Sequence, residues 1–424
     1  IEVLKTMTTC TESGKKCLND FRIMLKGKSL VPLMVGGMGA NISTAEMVLA
    51  VEKLGGIAHL SDAMLPDVVD TVYGTHYGAD KAKVNFVHKS SWDKSQVHFD
   101  FGNLREATMR YVGDVMSRAT GKGLVFINCM EKLTFNNPIE SLKTRLNAAL
   151  DAGIDGITLS AGLHLSSFKL MSENKRFREA LLGIVVSSVR ALNLFLKRTE
   201  KLDRLPDYVV VEGPMAGGHL GFGEDWAEHD LATIVREVKA YLAEKNLNIP
   251  VFAAGGVFSG DDAVNMIENV GADGVQVATR FTITKESGLP EVAKYAYLDA
   301  KEEDIEVNHL SATGYLMRML KNTPAKRLRV PPNCEAYGYL LHDGQCPYLK
   351  QWMQQMTQKV MVPENERKCC LCTHMKIYNV WTCGATTYRL KETTYKLENG
   401  KWYLPDAEEV YNDYVFGKKI APAL

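Results

Sequence analysis

The chain has 424 residues, 46% of them hydrophobic, and its 50 basic side chains are matched by 50 acidic ones. That length buries a large core and suggests about two domains. The even charge gives no reason to expect nucleic acid or an anionic membrane as partner. The most apolar span, Ala180 to Leu196, is broken by Ser187, Ser188, Arg190 and Asn193, so it does not read as a membrane helix. The chain begins IEVLKTMTTCTESGKK, without Met and without an apolar stretch after a basic start. A few missing leading residues, no secretory leader and a cytoplasmic enzyme are the expectations. Nine cysteines in so long a chain do not suggest a secreted disulfide scaffold either.

Leu30 to Val35 reads as a buried strand closed by Gly36-Gly37-Met38-Gly39. Ser43-Thr44-Ala45-Glu46 then reads as a capping box opening a helix to Leu54. Ile57 to Leu60 is a second strand. Residues from about 65 to 121 read as an insertion whose one clear helix is Leu104 to Ser117. From Gly123 the alternation is regular. Strands are expected over Leu124 to Asn128, Asp155 to Ser160, Gly183 to Ser187, Tyr208 to Glu212, Ile249 to Ala254 and Gly274 to Ala278, with helical patterns between them.

Eight short apolar strands alternating with helices predict a parallel sheet, because parallel neighbours need a crossover. Their number and spacing predict a (β/α)8 TIM barrel over residues 1–305; an open doubly wound sheet is the alternative. Beyond Glu306 the rhythm stops. Residues 306–424 read as a C-terminal, mainly helical, cysteine-containing extension that caps the barrel.

A barrel carries its ligand groups in the loops at the C-terminal ends of its strands. The unusual residues fall there: Gly36 to Gly39, Ser61, Asn128, Ser160, Ser188, Gly217 to His219, Gly255-Gly256 and Thr279. The last two strands end in AAGGVFSGDDA and GVQVATRF. Gly255 and Gly256 after the seventh strand, and Ala278 and Thr279 after the eighth, are placed to offer backbone N–H groups to a phosphate. An elongated phosphorylated cofactor such as FMN suits that cup. Its ring is expected over Gly36, Gly37 and Met38, with the Asn128 amide at a polar edge. In YVVVEGPMAGGHLGF, from Tyr208 to Phe222, Gly217 and Gly218 let backbone approach a flat ligand, and His219 adds a group suited to proton transfer.

VPLMVGGMG, GGIAHLS, FIN, EGPMAGGHLG, AAGGV and GVQVATRF together resemble the nitronate monooxygenase family, formerly called 2-nitropropane dioxygenases. The related flavin-dependent enoyl-acyl-carrier-protein reductases are similar too. The resemblance covers about Leu30 to Ser287. It implies an FMN-dependent oxidoreductase with His219 catalytic beside the flavin, Asn128 touching the cofactor, and a nitronate cleaved with oxygen to a carbonyl compound and nitrite. It also leaves open an NAD(P)H-dependent reductase of an enoyl thioester or quinone, and a homodimer. A barrel that binds a phosphorylated ligand without redox turnover is the reading from another class. Ser188 sits where relatives approach the flavin and reads equally as a helix cap. One departure stands out: the family usually has an acidic residue directly before AGGH, where this chain has Met215. Glu212, three residues earlier, is a candidate substitute.

His59 reads as a satisfied core residue, and His164 as a strand-exit loop residue or a pocket wall. His76, His88 and His98 fall in the insertion. The Ser311 to Gly314 turn reaches toward the pocket with no role assigned. Six of the nine cysteines lie between Cys334 and Cys383. Cys369, Cys370, Cys372 and Cys383, with His374 as a further donor, form a candidate set for zinc or an iron–sulfur cluster. The other reading is reduced thiols packing the tail.

Overall fold

The structure is a computed structural model, and it describes residues 15–131, 137–327, 330–336, 344–363 and 366–422. A short hairpin, β1 (Ile23–Leu25) and β2 (Lys28–Leu30), precedes the barrel. The barrel strands are β3 (Leu33–Val35), β4 (Ile57–Ser61), β5 (Leu124–Met130), β6 (Gly156–Ser160), β7 (Leu181–Val186), β8 (Tyr208–Glu212), β10 (Val251–Ala254) and β11 (Gly274–Val277). All eight expected strands form, and each pairs in parallel with the next until β11 closes on β3. The closed ring rules out the open sheet. Three further strands, β9 (Gly218–His219), β12 (Ile305–Asn308) and β13 (Met317–Leu320), make a small antiparallel sheet in the order β12-β13-β9.

Alternation along the strands sorts the core into two layers. Met34, Phe126, Tyr208, Val210 and Phe252 form one buried cluster inside the barrel. Their sequence neighbours Leu33, Val125, Val209 and Val251 face the surrounding helices in a second, larger cluster. Phe126 stacks on Tyr208 at 5.5 Å and Tyr208 meets Phe252 edge-on at 6.0 Å. Such rings fit because the neighbouring strand offers glycine: a Cβ at Gly156 would lie 2.8 Å from the Phe126 ring, and one at Gly274 2.5 Å from that of Phe252. Above them His59 is fully buried and satisfied, as expected, by the Val35 carbonyl at 2.7 Å and the Thr158 hydroxyl at 2.6 Å.

The helices are α1 (Ala45–Lys53), α2 (Leu65–Tyr73), α3 (Tyr77–Val87), α4 (Phe101–Arg118), α5 (Pro138–Asp151), α6 (Ser167–Met171), α7 (Val189–Thr199), α8 (Leu231–Glu244), α9 (Gly260–Asn265), α10 (Glu291–Asp299), α11 (Pro324–Arg327), α12 (Pro347–Thr357) and α13 (Ala407–Phe416). The N-cap of α1 is Thr44, whose hydroxyl accepts the Met47 N–H, and not Ser43. Ser43 instead ties the glycine loop, accepting the Met38 N–H at 2.8 Å and donating to the Gly36 carbonyl. The insertion holds α2 and α3 as well as α4.

The wall of the barrel is completed from far away in the chain. After β11, α10 turns aside into a satellite core with Phe258, Ile283 and Leu390. It is α13, near the other end of the chain, that packs against α1 and α9, the slot an eighth barrel helix normally fills. Ala407, Val410, Tyr411 and Tyr414 join the main core there. Arg280, buried just past β11, reaches Asp413 on α13 at 2.5 Å.

Candidate active site

Strand register brings the candidate residues to one rim. Ala254 pairs with both Glu212 and Gln276, and Ser61 pairs with Asn128. Gly36 donates its N–H to Val277 and lies against the Gln276 side chain, at 3.2 Å from a Cβ built on the glycine. Gly37 is wedged between the Leu60 carbonyl and Asn128, where a Cβ would come within 2.7 Å of both. The loops after β3, β5, β10 and β11 therefore share one end of the barrel.

Gly255 and Gly256 adopt left-handed backbone, with φ of 92° and 98°, which glycine takes without strain. Their N–H groups have no acceptor among the described residues. The short helix that follows is not a free anion site, because Ser259 and Asp262 cap it reciprocally. Met215, exposed, lies over Gly256, 3.2 Å from its built Cβ.

The AGGH loop is held by the C-terminal segment. β9 pairs with β13, with His219 opposite Met317 and Gly218 opposite Arg318. Buried Arg318 donates to the carbonyls of Pro214 at 2.8 Å and Ala216 at 2.5 Å. Ala385 donates to the Met215 carbonyl at 3.1 Å. A Cβ at Gly217 would fall 2.7 Å from the Cys383–Gly384 peptide, and one at Gly384 2.6 Å from the Thr279 hydroxyl. Gly217 is thus glycine because the tail passes there; Gly218 is glycine because its φ is 73°.

His219 is half-buried, and its Nε2 lies 2.5 Å from Ser311 Oγ. Ser311 is buried and its oxygen continues to Thr313 Oγ1 at 2.6 Å. Nδ1 of His219 has no hydrogen bond among the described residues. Burial drives its pKa down to about 4, so the ring is neutral near pH 7. Glu212 moves the opposite way: burial raises its carboxyl to about 7.

Other expected residues go elsewhere. Ser188 is exposed and its hydroxyl caps α7 through the Ala191 N–H at 3.2 Å. Ser187, its neighbour, is the one against the His219 loop, beneath Gly221. His164 is buried and bonded to Ser167 and to the Ser160 carbonyl. The metal set is a correction. Cys369 lies in an apolar cluster with Met317 and Val380, Cys372 with Met64 and Phe99, and Cys383 with Ile283 and Trp381. Three separate clusters draw these thiols apart, and among the described residues no group of His, Cys, Asp and Glu is arranged to hold a metal ion. No helix there is long and apolar enough to cross a membrane.

The fold is a closed (β/α)8 barrel, and its candidate residues gather at the C-terminal face of the strands, where barrel enzymes carry their sites. The sequence model of the nitronate monooxygenase family matches residues 127–381, more than half of the chain. The chain belongs to the nitronate monooxygenase family, a family of oxidoreductases. A protein of Staphylococcus saprophyticus described as a probable nitronate monooxygenase is 34% identical over 116 residues, which are 27% of this chain and 32% of that one. A Mycobacterium tuberculosis protein described as an octahydro-indene-carboxyl-CoA dehydrogenase is 32% identical over 158 residues, 36% of this chain and 40% of that one. The matched stretches span about a third of the length of the first of these relatives. FabK from Thermotoga maritima superposes with a TM-score of 0.53 over 91% of this chain and 92% of its own, at 16% identity, a likeness of fold.

Ser311, Arg318 and the Cys383–Gly384 peptide are the contributors that sequence reasoning missed. Ser311 lies in the Ser311 to Gly314 turn, which the sequence directs toward the pocket without a role. Arg318 gave no local signal, since its partners lie about a hundred residues away in the chain.

Proposed function

We propose that the rim binds FMN and that the protein oxidises alkyl nitronates, with oxygen, to a carbonyl compound and nitrite. The residues present fit such a cofactor. Gln276 Oε1 is a buried amide oxygen without a hydrogen-bond partner among the described residues, and a polar ring edge would satisfy it. Asn128 and the Gly36–Met38 loop would face the ring, and the Gly255 and Gly256 amides would hold the phosphate, with Ala278 and Thr279 beside them. FMN would supply electron acceptance and reaction with oxygen; the protein supplies orientation and proton control.

The observation that carries the reading is the state of His219: neutral, fixed through one nitrogen by Ser311, with the other nitrogen available. Two tautomers serve two tasks. With Ser311 donating to Nε2, Nδ1–H stabilises a nitronate oxygen. With Nε2–H donating to Ser311, Nδ1 takes the α-proton of a neutral nitroalkane. Glu212, neutral below about pH 7, leaves a negative substrate unopposed.

The dehydrogenase relative supports a second reading, acyl-thioester redox chemistry on the same barrel. Nitrite release from propyl 2-nitronate, with anaerobic bleaching of the flavin band by that nitronate, supports the first. Bleaching by NAD(P)H and an enoyl thioester, with no response to nitronate, overturns it in favour of the second. Protein that is colourless and takes up no FMN overturns both.

A further inference from the structure

Two thiols outside the rim are built for chemistry that neither the barrel nor its proposed reaction uses. Cys346 is the N-cap of α12, an eleven-residue helix, and its Sγ accepts the Leu349 N–H at 3.5 Å. The thiol of Cys334 is a close titrating neighbour of that sulfur, each acting on the other's charge. Both residues are half-buried, whereas Cys129, Cys369, Cys372 and Cys383 are buried.

The pair is clamped from three sides. Lys94 donates its backbone N–H to Gly344 at 2.7 Å, and Asp93 bridges Gln345, which fixes the chain just before Cys346. Asn333, just before Cys334, donates to the Thr373 hydroxyl at 2.8 Å. The Lys94 ammonium is anchored by Asn85 Oδ1 at 3.1 Å and the His88 carbonyl at 2.9 Å, and its charge acts on both sulfurs. A helix N-terminus and a nearby cation both favour thiolate over thiol.

We propose that Cys334 and Cys346 are a reversible dithiol–disulfide site, with Cys346 the attacking thiolate and Cys334 the resolving thiol. The partner is a small-molecule disulfide of the glutathione class. The Cys346 thiolate attacks one sulfur of that disulfide, forms a mixed disulfide and releases one small thiolate. Cys334 gives up its proton and attacks the Cys346 sulfur, so the mixed bond breaks, a second small thiol leaves and the Cys334–Cys346 bond forms. Two protein thiols are oxidised and one small disulfide is reduced. In support, the neighbouring Cys334 thiol, with help from the Leu349 N–H, lowers the Cys346 thiol, while burial pushes Cys369 up to about 12.

The test uses the full-length protein in oxidised and reduced glutathione buffers, quenched with N-ethylmaleimide, digested and read by mass spectrometry. A Cys334–Cys346 cross-link is expected under oxidising conditions. Cys334→Ser should instead trap glutathione on Cys346, and Cys370→Ser should leave the cross-link intact. Alkylation timed on the reduced wild type needs no variant to fold: Cys346 should react about ten-fold or more faster than Cys369 near pH 7. The proposal is overturned if both thiols stay alkylatable in fully oxidising buffer, if Cys370 or Cys372 takes the place of either one, or if zinc must be chelated before they oxidise.

Discussion

His219 Nε2 and Ser311 Oγ meet at 2.5 Å although 92 residues separate them in the chain. The contact exists because β13 lines up beside β9 and carries the segment preceding it to the barrel rim. In the proposed reaction, that contact would make Ser311 a positioning residue for the imidazole. Ser311→Ala should keep flavin content and lower kcat about ten-fold, the worth of one well-placed hydrogen bond. Measured turnover equal to wild type would remove the role.

Arg318 fastens the same loop through two carbonyls. Arg318→Met should cost about 3 kcal/mol, since bonds from a charged donor exceed neutral ones. Urea unfolding followed by tryptophan fluorescence reads the loss. A midpoint within error of wild type would show that the loop needs no such anchor.

The pH profile of activity should show Glu212. Its carboxyl is neutral below about 7 and negative above it. For an anionic nitronate, kcat/KM is expected to fall as pH rises through that value, and Glu212→Gln should remove the fall. The sign for stability is the same. A carboxyl whose folded pKa is raised stabilises the fold below its unfolded value, and that contribution is lost as pH rises through about 7. A profile unaltered by the substitution would place the titration elsewhere.

Acid should weaken the barrel through His59. Burial lowers its pKa to about 4, against 6.5 for the free side chain. A depressed histidine contributes stability above its unfolded value, and this is lost as pH falls from 6.5 through about 4. The loss is about 3 kcal/mol at the acid end. Denaturant midpoints measured across that range should drop in the wild type and drop less in His59→Gln. Equal slopes would mean that another group carries the acid limb.

Much of the barrel was legible because the strands bury both faces and so read as short, largely apolar runs, with β3, β8 and β10 followed directly by glycine. That Gly36, Gly37, Asn128, Gly255 and Gly256 share a rim was legible the same way, since strand ends in a barrel meet at one face by topology. The rest depended on partners remote in sequence. Nothing near Ala407 announces that α13 fills the wall beside α1, and nothing near Ser311 announces an imidazole. Ser43 misled because a capping-box spacing also fits a serine tying a glycine loop, with Thr44 one step later as the cap. The Cys369 to Cys383 run misled because spacing says nothing of direction, and the thiols point into different apolar clusters.

The sharpest test is His219→Ala, purified beside the wild type, with the visible spectrum and nitronate turnover measured on the same samples. A yellow variant with an unaltered FMN spectrum and turnover lowered about a hundred-fold or more is the expected result. Turnover that survives intact, or wild-type protein that binds no FMN, would contradict an active site organised around this imidazole.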